Sequence, residues 1–271
     1  MLIFPNAKIN IGLNITKKRK DGFHNLETVF YPVNLCDILE FTKSEKKTSF
    51  TVTGLEINIP DEDNLILKAF NLLKNDFKLP DLNIHLHKII PFGAGLGGGS
   101  SDAAFMLKSL NNYFNLKLTN KNLESYAQKL GSDCPFFIQN KPVFAEGTGN
   151  IFHQTDLDLS NYFIAIVKPN FNISTKEAFS GITPEKPETS LKELIKLPVT
   201  KWKYVISNDF EKTVFKQYPE IKILKNILFE KGALYAQMSG SGSSVFAVFD
   251  FEPELSFLNR NNFVFIQKPL E

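Results

Sequence analysis

The sequence predicts an α+β protein in two parts, and three observations carry that reading. Strand-like alternations and helix-like apolar spacings mix without strict βαβ order. The pattern restarts after Gly147-Thr148-Gly149, which puts a boundary between residues 145 and 160. Finally, 271 residues, 43% hydrophobic and 22% charged, can bury a sizeable core as one large domain or two small ones, without metal or disulfide staples. The expected division is 1–150 and 151–271.

Taken in order, residues 48–53 and 82–87 alternate as half-buried strands; in the second, Leu82, Ile84 and Leu86 share one face. Ile66, Ala69, Phe70, Leu73 and Phe77 have the spacing of a helix over 63–77. A second helix is predicted over 101–114, where Ser100-Ser101-Asp102 suits N-capping, and a third runs from an N-cap at Thr119 to a C′ glycine at Gly131. Beyond the boundary, 163–167 is a nearly continuous apolar strand and Ser174-Thr175 opens a short helix. Residues 183–198, with Pro184, Pro187 and Pro198, read as a variable excursion. Pro219 starts a helix through Ile221, Leu224, Ile227 and Leu228 that stops at Gly232. Strands 233–238 and 245–249 follow, joined by Ser239-Gly240-Ser241-Gly242-Ser243.

Composition narrows the function class. A net charge of +2 is too small to argue for nucleic acid. Arginine occurs only at Arg19 and Arg260; Lys17-Lys18-Arg19-Lys20 reads as a solvated turn, with Arg19 kept as a candidate anion contact. Cys36 and Cys134 make no disulfide framework and fit a reducing cytoplasm. The N-terminus lacks a charged region before a long apolar core, and no apolar run approaches the ~18 residues of a membrane span, so neither signal peptide nor membrane partner is expected.

Five glycines lie between Gly93 and Gly99. Glycine in a helix or strand interior lowers stability by roughly 0.5–1 kcal/mol, so such a run belongs where the backbone takes positive φ or lies against a ligand. This one follows a strand and precedes a helix, so backbone N–H groups and the positive end of the helix dipole converge, which predicts a phosphate site. The stretch Gly93-Ala94-Gly95-Leu96-Gly97-Gly98 matches the dinucleotide-binding G-x-G-x-x-G, but residues 111–120 lack the acid that would hold a ribose. The position of a P-loop lysine holds Gly99, and the H-R-D and D-F-G signatures of protein kinases are missing.

Pro91-x-Gly93-x-Gly95-Leu96-Gly97-Gly98-Gly99-Ser100-Ser101-Asp102-Ala103-Ala104 resembles the phosphate loop of the GHMP kinases, the superfamily of galactose, homoserine, mevalonate and phosphomevalonate kinases. Further motifs follow in one order: Ala7-Lys8-Ile9-Asn10; Ile15-Thr16-x-x-Arg19-x-Asp21-Gly22-Phe23-His24; Leu130-Gly131-Ser132-Asp133-Cys134-Pro135; Met238-Ser239-Gly240-Ser241-Gly242-Ser243. Together they span residues 7–250 and resemble the branch that acts on a cytidine-diphosphate alcohol in the non-mevalonate route to isoprenoid precursors. The resemblance implies two α/β domains, an N-terminal ATP-binding domain and a C-terminal one, with the active site in the inter-domain cleft. It implies transfer of the ATP γ-phosphate, with Mg²⁺, to the 2-hydroxyl of a methylerythritol unit. Residues 91–101, that is Pro91, Phe92, Gly93, Ala94, Gly95, Leu96, Gly97, Gly98, Gly99, Ser100 and Ser101, would hold the phosphates.

Asp133, in a tight turn between Gly131 and Pro135, is the implied general base; read alone, it could equally cap the next segment. Lys8 stands in an apolar strand and needs a charged partner if buried; paired with Asp133 it would keep that carboxylate ionised and oriented. Asn10 shares the face of Lys8 at strand spacing. Phe23 and His24 would form the cytosine pocket, one by stacking and one by hydrogen bonding; the family often has tyrosine at Phe23. Phe179 aligns with a family aromatic on the opposite side of the base, and Thr175 in the same segment is placed with the substrate-binding residues. The Ser239–Ser243 loop either brings amides near the transferring phosphate or is a plain turn.

The chain departs from the family at Glu146 and Asn150, which flank Gly147-Thr148-Gly149 where Arg and Glu are frequent. His85 and His87, on the polar face of their strand with no acid or third ligand nearby, are read as exposed, and Cys134 as a small, buried, inert thiol. Two alternatives stay open at this point: another GHMP small-molecule kinase, and a non-catalytic nucleotide-binding protein. Phe23, His24 and Phe179 argue against the first, Lys8 and Asp133 against the second.

Overall fold

The computed structural model describes residues 1–57 and 59–269. The chain runs through β1 (Leu2–Ile3), β2 (Asn6–Lys18), β3 (His24–Cys36), β4 (Ile38–Lys43), β5 (Ser49–Gly54), α1 (Leu65–Phe77) and β6 (Leu82–Lys88). Next come α2 (Gly98–Tyr113), α3 (Asn120–Gln128), α4 (Phe136–Gln139), β7 (Val143–Glu146), β8 (Ile151–Gln154) and β9 (Phe163–Pro169). Last are α5 (Thr175–Phe179), α6 (Leu191–Leu194), α7 (Val199–Val205), α8 (Glu211–Gln217), α9 (Pro219–Glu230), β10 (Tyr235–Met238), β11 (Val245–Phe249) and β12 (Asn262–Gln267). No described helix is long and apolar enough to cross a membrane.

Two compact units interleave along this order. One holds Met1–Ala7, Asn34–Phe92 and Gly97–Lys141; the other holds Lys8–Val33, Gly93–Leu96 and Pro142–Glu271. The division by contacts is therefore not one cut near residue 150. The reason is strand pairing: β3 runs antiparallel to β7, Thr28 opposite Ala145, which ties early strands to the later chain.

In the first unit the sheet order is β1-β4-β6-β5, with β6 antiparallel to β4 and parallel to β5. The predicted alternation of β6 holds: Leu82, Ile84 and Leu86 are buried, and the same face continues to a buried Lys88. α1 begins two residues later than predicted, because the Asn64 side chain accepts the Ile66 N–H and so caps the helix there. Ile66, Ala69, Phe70 and Leu73 are buried, whereas Phe77, at the helix end, is exposed. α2 begins at Gly98, three residues before the predicted start. Its N-cap is Gly97 at φ +70°, so Ser100, Ser101 and Asp102 lie inside the first turns and cap nothing. Thr119 caps α3 as predicted, in a capping box with Asn122. Gly131 is not its C′ glycine: the helix ends at Gln128, and the Leu130 and Gly131 amides both bond the Ala127 carbonyl in tight turns that need no positive φ.

The second unit carries the sheets β2-β3-β7-β8 and β10-β11-β9-β12. In the latter β9 is flanked antiparallel by β11 and β12, with Ala165 opposite both Ala247 and Ile266. Ile221 and Leu228 of α9 reach its core together with Val167, Val245 and Phe249. α9 has Pro219 in its first turn and stops before Gly232 at φ +91°, as predicted. β10 starts at Tyr235 rather than 233, because the Ala233 N–H is spent on the Leu228 carbonyl at the end of α9. The excursion 183–198 is pinned rather than loose. Glu185 N–H bonds the Ile15 carbonyl, and a Glu27 carboxylate oxygen accepts from Ser190 Oγ (3.0 Å) and Leu191 N–H (3.2 Å). Leu191 is buried over Gly12 (φ +65°), where any Cβ would come within 2.6 Å of its side chain.

Candidate active site

The residues of the predicted phosphate loop are divided between the units, Pro91, Phe92 and Gly97 onward in the first and Gly93–Leu96 in the second. In the first unit, no side chain caps α2, and its first helical bond runs from the Ser101 N–H to the Gly97 carbonyl. The amides of Gly98, Gly99 and Ser100 thus have no intrahelical acceptor. Such a terminus offers unpaired donors and the positive end of the helix dipole, the features an anion needs. Pro91 is buried and Phe92 is exposed. Asp133, half-buried, stands in the turn Gly131–Cys134, closed by the Cys134 N–H to the Gly131 carbonyl (3.3 Å). Burial pushes the neighbouring Cys134 thiol up to about 11, which suits an inert structural cysteine rather than a nucleophile.

In the second unit, Gly93 (φ +65°) and Gly95 (φ +74°) turn the loop, and a second loop backs it. A Cβ on Gly95 would come 2.0 Å from the Ser239 carbonyl oxygen, so only glycine fits. Ser239 Oγ donates to the Gly95 carbonyl (2.8 Å) and accepts the Asn10 N–H (3.1 Å), while Ser244 N–H bonds the Ala94 carbonyl (3.2 Å). The Ser239–Ser243 turn is therefore a buttress of the glycine loop. Asn208, which the sequence reading missed, holds that turn: its Nδ2 donates to the Met238 and Gly240 carbonyls, both at 2.8 Å. Glu211 accepts the Met238 N–H (2.9 Å) and pairs with Lys225 (2.7 Å); burial raises its pKa, partly offset by Lys225. Neither residue sits in a local pattern; the one available signal was the polar run Ser207-Asn208-Asp209 between Ile206 and Phe210.

Lys8 is buried, not on a solvent face. Its ammonium donates to Asn10 Oδ1 (2.5 Å) and the Gly95 carbonyl (3.2 Å) and lies 5.0 Å from the centre of the Phe30 ring. Asn10 in turn donates to Thr28 Oγ1 (3.0 Å), which donates to the Gly12 carbonyl (2.6 Å). The structure thus joins Lys8, Asn10 and Gly95 of the loop in one hydrogen-bonded chain.

The segment predicted to hold a base contains a turn in which Arg19 and Asp21 pair at 2.7 Å and Asp21 accepts the Phe23 N–H (3.1 Å). With Gly22 at φ +87°, the turn displays Phe23, which is 65% exposed. The His24 ring stacks on Phe179 (centroids 4.8 Å, planes 20° apart), and Phe179 meets Phe210 edge-on at 4.8 Å. Phe179 therefore supports His24 directly. Thr175 is exposed in the first turn of α5, beside the Ser174–Glu177 capping box. Glu146 and Asn150 serve their own hairpin: Glu146 lies 3.2 Å from His153 Nε2, and Asn150 Oδ1 accepts from the Thr148 N–H (3.2 Å) and hydroxyl (2.9 Å). His85 and His87 both meet the Thr53 hydroxyl at 2.9 Å on an exposed face. Among the described residues no three His, Cys, Asp or Glu side chains cluster to hold a metal ion.

The profile of the GHMP kinase N-terminal domain matches residues 64–141, and that of the C-terminal domain residues 191–266. A 4-diphosphocytidyl-2-C-methyl-D-erythritol kinase of Bacteroides fragilis is 57% identical over 94% of this chain and 94% of its own. One from Parabacteroides distasonis is 56% identical over 92% of each. The chain belongs to the 4-diphosphocytidyl-2-C-methyl-D-erythritol kinase family of GHMP kinases. A crystal structure of a 4-(cytidine 5'-diphospho)-2C-methyl-D-erythritol kinase, 26% identical, superposes with a TM-score of 0.81 over 98% of each chain. A homoserine kinase of Cytophaga hutchinsonii shares the GHMP fold alone, at 17% identity and a TM-score of 0.60 over 98% of this chain and 95% of its own.

Proposed function

We propose that this chain transfers the γ-phosphate of ATP to the 2-hydroxyl of 4-diphosphocytidyl-2-C-methyl-D-erythritol. The observation that carries the reading is the glycine run itself, which in one unit leaves the start of α2 uncapped and in the other is braced by Ser239 and Ser244. Residues 91–101 hold the phosphates through backbone amides. Asp133 is the general base that takes the hydroxyl proton as oxygen attacks phosphorus, and Lys8, steadied by Asn10, is the cation that orients the reacting groups. Transfer is direct and in line, with no covalent phosphoenzyme. The cytosine stacks on Phe23 and is read by His24, with Phe179 behind it and Thr175 at the rim. Mg²⁺, bound with the triphosphate, would screen its charge, because that ion is held largely through phosphates and water. The reducing cytoplasm, where Cys36 and Cys134 stay free, is the proposed compartment.

The test is to supply purified protein with MgATP and a panel of alcohols including mevalonate and homoserine. Phosphate should go to the cytidine-diphosphate alcohol; transfer to mevalonate instead would sink the substrate assignment. Asp133→Asn should lower kcat by about 10²–10⁴-fold with the fold intact, and near-normal turnover would remove Asp133 from its role.

A further inference from the structure

The buried face of β6 ends in a charge. After Leu82, Ile84 and Leu86 the alternation reaches Lys88, which is 2% exposed. Its ammonium bonds Asp37 Oδ2 and, at 2.7 Å, Asp102 Oδ2. Asp37 and Asp102 are themselves buried, so one cation stands between two carboxylates. The other Asp37 oxygen accepts the N–H groups of Ile89 (2.6 Å) and Ile90 (2.8 Å). The ammonium lies 3.0 Å from where a Gly98 Cβ would sit, directly under the first turn of α2.

These contacts share one geometric property. Residues 88–90 are the stem by which the chain enters the glycine loop; Gly98 and Asp102 lie on the helix by which it leaves. An apolar Lys88 equivalent would serve the core equally well, and a buried ion triad is weak evidence for stability. Burial works against the Lys88 charge, but the two carboxylates outweigh it and hold its pKa above the ordinary value. Such charge-assisted bonds have fixed directions that packing lacks.

We infer that Asp37, Lys88 and Asp102 are positioning residues that lock the two stems of the phosphate loop together and so set the geometry in which ATP is held. The inference rests on the phosphate-loop reading above. That reading fails if wild-type protein transfers no phosphate from ATP; the triad's role is judged only where wild type turns over.

The experiment measures kcat, the KM for ATP and the KM for the cytidine-diphosphate alcohol in Lys88→Met, in Lys88→Met/Asp102→Asn and in Asp37→Asn. Lys88→Met removes the cation that joins the two buried carboxyls; a loop displaced on the order of 1 Å should raise the KM for ATP about tenfold or more and leave the acceptor KM within about twofold. Adding Asp102→Asn places a permanent amide donor beside Asp37, so part of the ATP KM should return, an interaction visible as non-additivity. If Lys88→Met does not fold, Asp37→Asn, which keeps the side-chain shape, should show the same split between the two KM values. A variant that melts lower yet keeps the wild-type KM for ATP, or one in which both KM values rise in proportion, would overturn the inference.

Discussion

Gly95→Ala tests the buttressed loop most directly. The wild-type backbone at 95 sits at φ +74°, where an alanine costs about 1–2 kcal/mol. The new methyl would also lie 2.0 Å from the Ser239 carbonyl, far inside contact distance, and the obstacle is backbone rather than a yielding side chain. Separating the two loops gives up the Ser239 Oγ bond to the Gly95 carbonyl, about 1 kcal/mol, and strains the neighbouring Ser244–Ala94 bond. The loss comes to about 3 kcal/mol, which for a chain of this size is a fall of about 6–12 °C in melting temperature. Gly99→Ala is the internal control: Gly99 lies within α2, and the nearest atom to its added Cβ is Leu65 Cδ1 at 3.9 Å. There the change should leave the melting temperature unaltered or raise it slightly. Thermal denaturation with and without ATP, and turnover of the cytidine-diphosphate alcohol, read both variants. A Gly95→Ala protein with wild-type melting and wild-type ATP kinetics would refute the claim that the second loop fixes the first.

Other expectations follow from the same geometry. Asn208→Ala strips both Met238 and Gly240 carbonyls of their buried donor and should cost about 2–4 kcal/mol in urea denaturation; a midpoint unchanged from wild type would contradict it. Phe179→Ala removes the face on which His24 stacks, a pair worth about 0.5–1.5 kcal/mol, so the acceptor KM should rise about 2–12-fold while the ATP KM stays put. With its thiol pushed up to about 11 by burial, Cys134 is about one part in a thousand thiolate at pH 8. A thiol reagent should therefore modify the half-buried Cys36 first and reach Cys134 only in denaturant; equal rates in the native protein would show that the turn around Asp133 opens.

The elements written in short-range pattern were legible before any coordinates. β6, β11, α5 and α9 follow from alternation, apolar spacing, a capping serine and a proline–glycine pair, all of which act within a few residues. The glycine run was legible for the same reason, since five residues without side chains at one place admit few uses. Local rules misplaced the start of α2 because Ser100, Ser101 and Asp102 are good capping residues in isolation. The structure leaves the cap to Gly97 and buries Ser101 and Asp102 in the helix.

What tertiary structure alone decided is which distant atoms meet. Nothing near residue 95 in sequence announces that its missing side chain makes room for the carbonyl of Ser239, nor that Asn208 holds that turn from outside. In sequence Lys88 is a lysine just past the half-buried strand 82–87; only burial beside Asp37 and Asp102 makes it a charge that must be paired. Periodicity reports the face a residue takes, because that depends on its neighbours along the chain. Partners across a buried cluster depend on how separate strands and helices stack, and that information is spread over the whole fold.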